Sequence, residues 1–147
     1  MDANKQKFII NAHAIDNMIS DYHWMIETIE ELREKNKTID APTASYGEEA
    51  RMPKGGGISD PVYQEYLRRE KRSKIIEVYF AKVLFVQSMV NLVKEDRESE
   101  VLYWLLEGES MRSIGSRMGL SHTTIQNIKS KIIDRAIQNK GLLKGAC

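Results

Sequence analysis

The chain has 147 residues, with 22 Lys+Arg against 21 Asp+Glu and a formal net charge of +1. Hydrophobic residues at 41% and charged residues at 29% suit a packed core under a soluble surface and exclude wholesale disorder. The one cysteine, Cys147, excludes an internal disulfide and a cysteine-based zinc site.

No apolar run is long enough for a membrane span, and no signal-peptide core follows Asp2, Lys5 and Lys7, so a cytoplasmic protein with no membrane partner is expected. The charge sum hides a gradient. Residues 1–67 carry 7 basic and 12 acidic side chains, residues 68–109 carry 8 of each, and residues 110–147 carry 7 basic and one acidic, Asp134. A basic tail behind an acidic front points to a polyanion-binding face.

Residues 1–35 read as an N-terminal coiled-coil-like helix, running from about Asn4 to Glu34. Phe8, Ile15, Tyr22 and Ile29 recur every seven residues, and Met18, Met25 and Leu32 fill the complementary heptad position, with Asn11 as the polar exception. Sustained a/d spacing predicts a bundle or oligomer seam. The acidic Glu27, Glu30, Glu31 and Glu34 crowd its end, against the helix dipole, so an earlier stop or a frayed end is also open.

Residues 36–58 read as a flexible linker containing Pro42, Pro53 and Gly55-Gly56-Gly57. A phosphate loop would need a Lys-Ser/Thr pair after the glycines, and Lys54 stands before them. Residues 59–96 read as a long central helix. Ser59 or Asp60 is placed to cap it, and Pro61 suits its first position. Its first half holds Arg68, Arg69, Lys71, Arg72 and Lys74, either a solvated face or a second phosphate-contacting patch. Its second half, to Lys94, is apolar on most faces and requires burial on several sides.

Residues 97–147 read as a helix-turn-helix unit of three helices. The first runs from about Glu98 to Glu107 and ends at Gly108. The second runs from Met111 to Met118 after Ser110, and the third from His122 to about Gln138 after Ser121. The pattern Ile114-Gly115-x-x-Met118-Gly119-Leu120-Ser121-x-x-Thr124-Ile125-x-x-Ile128 combines small, turn and apolar positions in the order this motif needs.

A polar third helix fits the DNA major groove. His122, Thr123, Thr124, Gln126 and Asn127 are the candidate base-reading residues, because Gln and Asn bond adenine bidentately and Thr touches a thymine methyl. Arg112, Arg117, Ser121, Lys129, Ser130, Lys131 and Arg135 are the candidate phosphate contacts. His13, His23 and His122 have no metal-binding spacing, and Trp24 and Trp104 read as packing residues. No nucleophile–base set or metal cluster has a catalytic spacing, so an enzyme and a cofactor are not expected.

The chain resembles the phage-encoded ArpU/RinA-type late-gene transcriptional regulators. These pair an N-terminal helix and a Gly-containing linker with a Tyr-Leu-Arg-Arg…Lys-Ile-Ile-Glu helix and a C-terminal helix-turn-helix. The matching stretches are Tyr66-Leu67-Arg68-Arg69, Lys74-Ile75-Ile76-Glu77 and Ser110 to Arg135. The C-terminal part is also similar to region 4 of sigma factors, which holds promoter DNA and touches RNA polymerase. The resemblance implies control of late phage or prophage genes in a bacterial host, with RNA polymerase as a second partner.

The expectation is an all-α, sequence-specific DNA-binding transcription regulator. The seam Phe8, Ile15, Met18, Tyr22, Met25, Ile29 and Leu32 predicts a homo-oligomer, most simply a dimer. Pairing of the two long helices within one chain is the alternative. Two other functions stay open: a small terminase subunit on packaging-site DNA, and a sigma-like or anti-sigma protein that grips RNA polymerase.

Overall fold

The structure, a computed structural model, describes residues 9–37 and 60–143. Phe8, the Gly/Pro linker from residue 38 onward and Cys147 lie outside the described residues. The described chain is helical throughout, with α1 (Ala12–Lys37), α2 (Pro61–Val90), α3 (Asp96–Leu106), α4 (Met111–Met118), α5 (His122–Gln138) and a terminal 3-10 turn (Lys140–Leu142). This is the expected all-α plan: two long helices followed by a C-terminal helical unit.

The start of α1 differs from the expectation. The Asn11 side chain accepts the Ala14 N–H at 2.7 Å, an N-cap that fixes the first turn there. Asn11 is a cap, and Ile9 and Ile10 precede the helix. At the other end the acidic crowding is offset. Lys35 pairs with Glu31 at 3.2 Å and Lys37 with Glu34 at 3.2 Å, and both lysines sit in the last turn where the dipole favours cations. The helix therefore continues past Glu34.

Asp60 caps α2 by accepting the Val62 N–H at 3.0 Å, ahead of Pro61. α2 ends at Val90, four residues earlier than expected. The chain turns through Asn91 and Leu92, which lets Val93 enter the core.

α1 and α2 pair antiparallel. Gln87 donates to the Tyr22 hydroxyl at 3.3 Å, Trp24 packs on Tyr79, Arg33 lies over Phe80, and Arg72 donates to Asn36 at 3.4 Å. From the first pair to the last, the α1 partner advances from Tyr22 to Asn36 while the α2 partner falls back from Gln87 to Arg72. Four of the seam residues, Ile15, Met18, Met25 and Ile29, are buried within this one chain, and Tyr22 and Leu32 are half-buried. Among the described residues, the intrachain hairpin thus covers most of the stripe.

One core joins the hairpin to the C-terminal unit. Ile15, Met18 and Ile19 of α1 meet Phe85, Val86 and Met89 of α2, and both sets meet Val101, Leu102, Ile114, Ile125 and Ile132 of α3 to α5. A smaller cluster of Met25, Ile29 and Val83 continues along the hairpin. The most apolar part of α2 is therefore the part roofed on several sides, as its composition required.

Candidate nucleic-acid interface

The C-terminal unit is built by local signals. Ser110 Oγ accepts the Ser113 N–H at 3.1 Å and opens α4. Gly119 closes α4 at φ 69°, a left-handed conformation in which a Cβ is strained. Its N–H and that of Leu120 both reach the Gly115 carbonyl, the Leu120 bond at 2.8 Å. Ser121 Oγ accepts the Thr124 N–H at 3.1 Å and opens α5. Gly115 is where the turn folds back: a Cβ there would stand 2.6 Å from the Leu120 carbonyl oxygen.

This geometry orients α5. Ile125, Ile128, Ile132, Ile133 and Ala136 point into the core. His122, Thr123, Gln126, Asn127, Ser130 and Lys131 are exposed. Their spacing puts them on one continuous face, uncharged and polar up to Lys131, with the exposed Asp134 one turn beyond. Such a face can present hydrogen-bonding groups to base edges. Thr124 differs from the expectation. It is partly buried, and its hydroxyl lies 2.8 Å from Ser121 Oγ, so it serves the cap. The Ser121 side chain is likewise committed to the cap.

The basic residues divide. Arg112 and Lys131 are exposed. Three others that were expected on phosphates have partners within the protein. Arg135 Nη1 donates to Glu98 Oε2 at 2.9 Å, and the Glu98 side chain is only 6% exposed. This pair ties α5 to α3. Lys129 Nζ stands 2.5 Å from Asp16 Oδ1 and ties α5 to α1. Arg117 lies 3.8 Å above the Trp104 ring and 3.6 Å from Glu109 Oε1. Trp104 donates to Glu100 at 3.3 Å and meets Tyr103 edge-on, in keeping with a packing role.

Asp16, Glu98 and Glu109 were not anticipated. Glu98 could have been noticed as an acid on the apolar side of α3. Asp16 and Glu109 carry no local sign of their partners.

The second basic run is also partly engaged. Glu65 gathers Arg68 at 3.8 Å, Arg69 at 3.8 Å and Arg72 at 3.1 Å. Lys71 and Lys74 are exposed. The run lies at the far end of the hairpin, roughly 25–30 Å along α2 from the turns that pack on the C-terminal unit. It does not join the α5 face. Among the described residues no group of three or more His, Cys, Asp or Glu is placed to hold a metal ion, and no helix is long and apolar enough to cross a membrane.

Residues 96–135 match the family model of bacterial regulatory proteins, luxR family. That span runs from the first residue of α3 to the arginine that bonds Glu98, so it contains the whole motif. This segment is a DNA-binding helix-turn-helix of regulatory type. Across nearly the full length, the chain is similar to the uncharacterized protein YqaQ of Bacillus subtilis (strain 168), with 28% identity over 137 residues, covering 88% of this chain and 91% of the relative. No solved structure matches the chain significantly.

Proposed function

We propose that the chain is a sequence-specific transcription regulator that reads the DNA major groove with α5. One observation carries this reading: the outward face of α5 is polar and uncharged over two turns, while its opposite face is locked into the core. His122, Thr123, Gln126 and Asn127 are the base-reading set. Arg112 and Lys131 contact phosphates on either side, together with the amide end of α5. The match to a regulatory helix-turn-helix family supports this use of the unit. The resemblance to ArpU/RinA-type regulators supports late phage or prophage genes as the target.

Selection of bound duplexes from random DNA by the full chain tests the proposal. Enrichment of a defined motif is the expected result. Gln126→Ala should then cost roughly 1–3 kcal/mol on that motif and relax the preference at one base pair. Loss of affinity with no change of base preference would remove Gln126 from the reading set.

A further inference from the structure

Lys129 lies at the edge of the reading face. At about 100° per residue it stands about 60° round α5 from Gln126 and about 20° from His122. A lysine there, free to extend, would flank the groove where phosphates run. Its side chain is only 14% exposed because it turns away to Asp16 on α1. Asp16 Oδ1 is buried and accepts no aligned hydrogen bond, although the side chain as a whole is 45% exposed, so the Lys129 ammonium is the charge that faces that oxygen. An acid from outside the motif thus engages a cation of the recognition helix.

We propose that Asp16 restrains DNA affinity by holding Lys129 off the phosphate backbone. This rests on the reading of α5 as the DNA-contacting helix. A phosphate contact adds affinity to every sequence alike, whereas base contacts discriminate. Holding Lys129 on α1 lowers sequence-blind binding and leaves base reading to Gln126 and its neighbours. The acidic first helix is therefore a component of the DNA-binding surface as well as a packing element.

The test uses the full chain and a random-sequence duplex titrated across a salt series. Asp16→Asn keeps the side-chain shape and removes the charge. The Lys129 stem then extends its ammonium to solvent or to a phosphate. The expected result is a salt slope steeper by about 0.9 and an affinity higher by roughly fivefold at 0.15 M salt, the effect of one added phosphate contact. Lys129→Met alone should leave the slope unchanged, and Lys129→Met in the Asp16→Asn background should cancel the gain. An Asp16→Asn slope equal to that of the wild type overturns the proposal. So does a Lys129→Met slope shallower by about one, which would put Lys129 on a phosphate already. The second comparison stands even if Asp16→Asn does not fold. A wild-type chain that binds no duplex at low salt would overturn the DNA-binding reading itself, an outcome distinct from both.

Discussion

Two glycines in the motif look equivalent in the sequence and do different work. Gly119 needs its φ of 69° but has open space around it, with nothing within 4 Å of a Cβ. Gly115 has ordinary helical geometry but no room, because the Leu120 carbonyl oxygen would lie 2.6 Å from a Cβ. Alanine at Gly119 should cost roughly 1–2 kcal/mol, the penalty for an L-residue in the left-handed region. Asparagine at Gly119 should cost less, since its short polar side chain tolerates that conformation. Alanine at Gly115 gains about 1 kcal/mol of helix propensity. Against this stands an overpacking cost of roughly 1–3 kcal/mol, and the obstacle is backbone, which cannot rotate aside. The clash wins, and the turn that aims α5 must move. Gly115→Ala should therefore lower the melting temperature and weaken DNA binding by more than the lost stability explains, whereas Gly119→Ala should lower the melting temperature alone. Thermal unfolding paired with duplex titration checks both. A Gly115→Ala chain that melts at or above the wild type would show that the turn has slack.

At the scale of elements, the Arg135–Glu98 pair fixes α5 on α3, and its two halves are not equal. The Arg135 side chain is 38% exposed and can turn to water, while that of Glu98 is 6% exposed and cannot. Removing one partner of a buried pair costs about 3–5 kcal/mol when the remaining charge is trapped. Arg135→Ala should approach that range. Glu98→Gln should cost about 1 kcal/mol, the loss of a single hydrogen bond. Denaturant unfolding of the two variants measures the difference, and equal losses would mean that Glu98 finds water or another donor. The pair also shows where sequence reading stops. The limits of α4 and α5 were legible, because Ser110, Gly119 and Ser121 act on backbone groups within three or four residues. The core face of α5 was legible from its period. The roles of Lys129 and Arg135 were not, because Asp16 and Glu98 belong to other helices, and a basic residue beside a groove-reading face looks the same whether it points to DNA or to a carboxylate. The stripe on α1 was legible as a seam. Its partner was not, because the same apolar spacing serves a second chain or a second helix, and within the described residues α2 packs along Ile15, Met18, Met25 and Ile29. The end of α2 was missed because its apolar run continues into the turn that delivers Val93 to the core.

For the whole molecule, the arrangement changes what the basic tail means. Residues 110–147 have a large positive excess in sequence, but Arg117, Lys129 and Arg135 are matched by Glu109, Asp16 and Glu98. The outward charge beside the proposed reading face is much smaller, and Asp134 lies exposed on that side of α5. Electrostatic affinity scales with phosphates neutralised, each contributing about −0.9 to the slope of log K against log salt. Arg112 and Lys131 as the charged contacts predict a slope near −2 per bound chain. All five basic residues expected in the sequence would have predicted about −4.5 by the same rule. A shallow slope shifts the burden of binding to base contacts or to a second chain on the same duplex. The two are separated by measuring stoichiometry alongside the slope. With one chain per duplex the total should stay near −2, and Lys131→Ala should remove about half of it. With two chains it should double to about −4, and the selected motif should repeat at a fixed spacing. A slope near −4.5 for one bound chain would mean that the internal ion pairs open on DNA, and that α1 and α3 release α5 as it enters the groove.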